Sequence, residues 1–87
     1  MKPTPGKLYR VLSPFHVWSL EEKGCTVDFA LNSVYMLTNI TELTTEAVET
    51  NTPEDYKLRY FWFLYGLKEV RVGVSYAEFI KFFCEQR

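Results

Sequence analysis

Residues 57–74, KLRYFWFLYGLKEVRVGV, constrain this chain more than any other stretch, because they dictate a hairpin down to its register. Gly66 can take the positive φ required at the first central position of a type II′ turn, so Gly66-Leu67 reads as a two-residue loop between Tyr65 and Lys68. Side chains alternate along a strand, and counting outward from the turn sets Phe63 against Val70, Phe61 against Val72 and Arg59 against Val74 on one face. The other face carries Leu64 with Glu69, Trp62 with Arg71, and Tyr60 with Gly73. The first face is a core face. The second is too aromatic to be merely solvated, and what it touches is the functional question.

The remaining segments arrange themselves around this hairpin. Residues 1–6 are a Pro-rich, flexible start, and residues 7–12, KLYRVL, read as a short strand bounded by Gly6 and Ser13-Pro14. A long excursion follows to Leu31, with Val17, Trp18 and Leu20 ahead of a polar turn at residues 21–24, which makes it a bent hairpin or an irregular arm. Residues 34–40, VYMLTNI, form a second strand with Val34, Met36 and Ile40 on one side and Tyr35 and Leu37 on the other. Residues 41–56 form an acidic, Thr-rich mobile connection in which Pro53 ends any short helix. Ser75-Tyr76-Ala77-Glu78 matches a capping box, and Tyr76, Phe79, Ile80 and Phe83 recur at i, i+3, i+4, i+7, which predicts an amphipathic helix over residues 75–86.

An 87-residue chain is a single domain near the lower limit for folding without metals or disulfides, and its seven Phe, six Tyr and two Trp supply the apolar area such a domain needs. The economical way for so few residues to bury aromatic strands is a strongly bent antiparallel sheet of four or five strands, partly closed into a small barrel with the helix over one end. The expected class is mainly β with a C-terminal α-helix. A net charge of −1 lacks the basic excess that phosphate neutralisation calls for, and it disfavours nucleic acid as a partner. The acids Glu42, Glu46, Glu49, Glu54 and Asp55 run without an intervening base and read as a solvated loop. Neither a signal-like apolar segment nor a span of about 20 apolar residues is present, so the expectation is a cytoplasmic protein, not bound to membrane, with Cys25 and Cys84 as free thiols.

Catalytic and cofactor chemistry find no foothold. His16 is the only histidine and stands between Phe15 and Val17, away from any nucleophile and orienting carboxylate at a readable spacing. His16, Cys25 and Cys84 lack the paired spacings of zinc sites, and the four glycines form no phosphate-binding loop. No catalytic residue, no metal and no cofactor are expected. The candidate partner-binding residues are Tyr60, Trp62 and Arg71 on the second hairpin face, where an Arg opposite a Trp permits a cation–π contact, with His16 and Trp18 on the arm as a further surface. The helix either covers the Tyr60–Trp62–Arg71 face as a second core or shields part of it and leaves these three at a rim.

The order of strand KLYRVL, arm, strand SVYMLTNI, loop, paired strands FWFLYGLKEVRV and a short closing helix resembles the SH3-like small barrels, specifically the small barrel proteins of tailed phages. The resemblance covers residues 6–83 as an arrangement of elements and carries no ligand-binding residues across. It implies a viral accessory protein in the host cytoplasm that modulates a host protein. Three functions remain open at this point. They are a non-enzymatic protein-binding module, a single-stranded nucleic-acid binder using Lys57, Arg59, Lys68 and Arg71, and a homodimeric structural protein.

Overall fold

The computed structural model describes residues 2–19, 24–42 and 53–86. Strands β1 (Leu8–Val11), β2 (Phe15–Trp18), β3 (Thr26–Phe29) and β4 (Val34–Glu42) are followed by a 3-10 turn at Glu54–Tyr56. Strands β5 (Arg59–Tyr65) and β6 (Lys68–Val74), helix α1 (Tyr76–Phe82) and strand β7 (Phe83–Glu85) complete the chain. The fold is mainly β, with an antiparallel five-stranded sheet in the order β6-β5-β4-β1-β7 and a separate hairpin of β2 with β3. The sheet does not close among the described residues: β6 and β7 are its two edges.

The β5–β6 hairpin forms in the expected register, with Tyr65 opposite Lys68, Phe63 opposite Val70, Trp62 opposite Arg71 and Phe61 opposite Val72. Gly66 has φ +63°, whereas Leu67 is absent from the residues of positive φ, which is the pattern of a type II′ turn. Phe61 and Phe63 are fully buried on one face and meet Leu37 of β4, Tyr9 and Val11 of β1 and Phe83 of β7 in one core.

Strand β4 departs from simple alternation. Its pairing with β5 shifts between Leu37 and Asn39, so Thr38 is an extra residue in the strand. One inserted residue exchanges the faces of everything beyond it. Ile40 therefore joins Tyr35 and Leu37 at the core, while Val34 and Met36 stay on the opposite face, which corrects the grouping of Ile40 with Val34 and Met36.

Two elements cover the core face. Helix α1 lays Phe79 against Phe61, Phe83 and Tyr9 at ring-centroid distances of 4.5, 4.7 and 5.3 Å. The β2–β3 arm stacks Phe15 on Phe29 at 4.8 Å and presses Phe29 toward Phe63 and Tyr35. This aromatic packing encloses the core without a closed sheet.

Ser75 caps the helix as its sequence predicts: its Oγ accepts from the Glu78 amide at 3.2 Å and lies at the same distance from Glu78 Oε1. The helix is shorter than expected, ending at Phe82 rather than near residue 86. Past it, the backbone turns extended at Phe83 and pairs with β1, so non-local ladder bonds replace the next helical turn. In a helix this short the inward stripe is Tyr76 and Phe79 followed by Phe82 and Phe83 at its end, and Ile80 is left 60% exposed instead of buried. Residues 2–6, expected to be a flexible lead-in, are bonded to the sheet: the Thr4 amide donates to Tyr9 Oη at 2.8 Å, the Gly6 amide to the Leu37 carbonyl at 2.7 Å, and Pro3 is buried. Most of the acidic segment expected to be mobile, residues 43–52, lies outside the described residues.

Candidate functional site

Helix and arm both lie on the Phe61–Phe63 side, so the opposite face of the sheet carries no covering element among the described residues. The structure thus sets aside the second-core alternative for Tyr60, Trp62 and Arg71. All three are half-buried by their neighbours within the sheet.

Cross-strand register builds this face row by row. Thr41, Tyr60 and Gly73 form one row, and Asn39, Trp62 and Arg71 the next. The guanidinium carbon of Arg71 lies 4.3 Å from the Tyr60 ring centroid and 5.9 Å from that of Trp62, so the cation rests on two aromatic faces. The Tyr60 ring lies over Gly73, where a Cβ would meet Tyr60 Cε1 at 3.4 Å, an ordinary van der Waals contact. Trp62 is fixed by its indole, which donates from Nε1 to Thr41 Oγ1 at 2.9 Å. The bulge residue Thr38 donates to Glu69 Oε2 at 2.7 Å, with the Trp62 carbonyl oxygen 3.1 Å from the same hydroxyl. Each aromatic group is therefore held by a polar neighbour that the strand pairing aligns.

A third row extends the face in a way the sequence did not disclose. Glu69, Leu64, Met36 and Leu8 align across β6, β5, β4 and β1, and beside them stand Val34, Arg10 and Cys84. Leu8, Val34 and Leu64 are 45, 42 and 40% exposed, so an apolar strip adjoins the Tyr60–Arg71–Trp62 cluster. The alternation of Leu8 with Arg10 in KLYRVL was the available signal. It could not be used without knowing that β1 pairs with β4.

His16 and Trp18 do not join this cluster. They alternate with Phe15 and Val17, which pack inward, and so point away from the core on the arm, opposite Asp28 and Thr26. Trp18 is 69% exposed. Among the described residues no three His, Cys, Asp or Glu side chains gather as metal ligands.

The basic character expected of the hairpin is reduced by its own fold. Arg59 is buried on the core face, where Nη2 pairs with the Glu54 carboxylate, Nη1 donates to the Glu54 carbonyl at 3.0 Å, and the guanidinium stacks 4.2 Å from the Tyr76 ring centroid. Lys57 also reaches Glu54, at 3.6 Å. Glu54 is thus a structural partner for two cations as well as part of a solvated acidic run.

On the core side, Tyr65 stacks on Tyr35 at 5.3 Å and donates to the Asp28 carbonyl at 3.1 Å. Burial, followed by the proximity of Tyr35 and Asp28, pushes its phenol above the usual tyrosine range. Among the described residues, no helix is long and apolar enough to cross a membrane. Comparison of the chain with protein-family models, with curated proteins and with solved structures finds no match.

Proposed function

We propose that this chain is a non-enzymatic protein-binding module that engages its partner through the sheet face of Tyr60, Trp62 and Arg71, extended by Leu64, Met36 and Leu8. The observation that carries this reading is the placement of helix and arm together on the other face, which leaves an ordered aromatic and Arg cluster uncovered among the described residues. Trp, Tyr and Arg are the residue types that concentrate binding energy at protein interfaces, and a platform already held by the Trp62–Thr41 bond and the stacking of Arg71 on Tyr60 loses little side-chain freedom when a partner arrives. In this reading the bent sheet is an open variant of the SH3-like small barrel, working as an accessory protein of the phage type in a host cytoplasm.

Capture from the host lysate tests the proposal, using the chain and its Trp62→Ala and Arg71→Ala variants as bait. A partner retained by the parent and by Ile80→Ala, but lost by both face variants while their melting temperatures hold, supports it. Equal capture by all four baits overturns it.

The single-stranded nucleic-acid reading draws on the same platform, because Trp62 and Tyr60 present ring faces on which bases stack. Arg59 and Lys57 are engaged by Glu54, which reduces the positive charge the hairpin can offer to phosphates. Salt-dependent binding of a labelled oligonucleotide, lost in Trp62→Ala, would move the assignment to this second function.

A further inference from the structure

The free edge of the sheet carries its own recognition pattern. In the Gly66-Leu67 turn, Tyr65 and Lys68 form the pair that exchanges backbone hydrogen bonds, and the alternation of an antiparallel ladder assigns the same role to Phe63 with Val70 and Phe61 with Val72. Lys68, Val70 and Val72 thus direct their amides and carbonyls toward β5. Glu69, Arg71 and Gly73 direct theirs outward, along an edge that pairs with no other strand among the described residues. The opposite edge is the three-residue β7, whereas β6 is seven residues long and contains no proline. A long edge with regular outward amides is a template for another strand.

We infer that β6 pairs with β6 of a second copy of this chain, antiparallel about a two-fold axis through Val70, joining the two sheets into one. The charges select both partner and register. Outward-directed residues must face outward-directed residues, so the choices differ by whole two-residue steps. Centring the axis on Glu69 sets carboxylate against carboxylate, and centring it on Arg71 sets guanidinium against guanidinium. Centring it on Val70 sets Glu69 of each copy opposite Arg71 of the other, an opposite-charge pair that occurs twice by symmetry.

Two further features agree with that register. Val70 meets its own counterpart on the core-facing side. Leu67, which is 102% exposed at the turn, falls opposite Gly73 of the second copy, where the strand has no side chain. An edge guarded against association would carry charges of one sign. Here the signs are opposite and two residues apart, which is self-complementary. The inference goes beyond the outer-face reading: the paired sheets place two Tyr60–Trp62–Arg71 clusters on one continuous surface, but the pairing itself does not require that surface to bind anything.

Sedimentation equilibrium on the whole chain tests it with Glu69→Arg and Arg71→Glu. The parent is expected to show a concentration-dependent dimer, and each single variant to weaken self-association by about tenfold or more, since an attractive pair becomes a repulsive one at two symmetric places. Mixing the two variants is expected to restore a dimer containing one of each, because one edge is then doubly cationic and the other doubly anionic. Circular dichroism establishes that both remain folded. Trp62→Ala is expected to dimerise like the parent, which separates failure of this inference from failure of the outer-face function. A parent that is monomeric up to millimolar concentration, single variants that dimerise unchanged, or a mixture that fails to associate would each overturn the pairing.

Discussion

Replacing Phe79 by Ala probes how this small domain is held together. Phe79 is 2% exposed and touches the rings of Phe61, Phe83, Tyr9 and Phe63. Truncating a buried Phe costs about 3–5 kcal/mol through lost transfer energy and the cavity left behind. Two features place Phe79→Ala in the upper half of that range. Several aromatic pairs are lost at once, each worth about 0.5–1.5 kcal/mol beyond its area. The rings lining the hole also belong to paired strands, which limits collapse into it. A domain of 87 residues has a total stability of roughly 4–13 kcal/mol at typical values per residue, so the variant retains a small margin or none. Ile80 is the control: it is next in sequence and 60% exposed, and Ile80→Ala is expected to change stability by no more than about 0.5 kcal/mol. Urea denaturation followed by far-UV circular dichroism gives both values. Similar losses for the two variants, or a loss below about 1 kcal/mol for Phe79→Ala, would refute the docking of α1 described here.

The remaining predictions concern single interactions. Ser75→Ala is expected to cost about 1 kcal/mol in the same assay through loss of the helix cap. Glu54→Gln is expected to cost about 1.5 kcal/mol, near the lower limit for a hydrogen bond to a charged group, because Arg59 is buried but the Glu54 side chain is 53% exposed; an unchanged urea midpoint would count against the ion pair. Tyr65 has a folded-state pKa above its unfolded value of about 10, so the folded protein binds more protons than the unfolded chain between the two values. Its contribution is fully present below pH 10 and is lost as pH rises through the folded value. Thermal melts from pH 9 to 12 are therefore expected to fall more steeply for the parent than for Tyr65→Phe, and parallel curves would contradict this.

What the sequence disclosed follows from how locally each feature is determined. The β5–β6 register was legible because a two-residue turn around Gly66 leaves one way to count, and the helix start was legible because Ser75 and Glu78 are neighbours in the chain. The helix end was not. Phe83 stops being helical because β1 offers it a ladder partner more than seventy residues away in sequence. The extra residue in β4 had no signal in VYMLTNI, and it moved Ile40 to the core. For the candidate site, the residues on the hairpin were identified and those on other strands were missed, since Leu8 and Met36 join Leu64 only through the order β5-β4-β1. An amphipathic stripe also does not state which face of a sheet it will cover, so the exposure of Trp62 could be posed from sequence but not decided.

The two indole N–H resonances of the labelled protein offer the most direct test of the outer-face account, because Trp62 lies on the proposed binding face and Trp18 on the arm. The captured partner is titrated into the parent protein while both signals and the Phe79 amide are followed. The account predicts that the Trp62 indole shifts or broadens, with its bond to Thr41 and its neighbour Arg71 perturbed, while Trp18 and Phe79 stay in place. A response confined to Trp18, with Trp62 unchanged at saturation, would place binding on the arm and contradict the account.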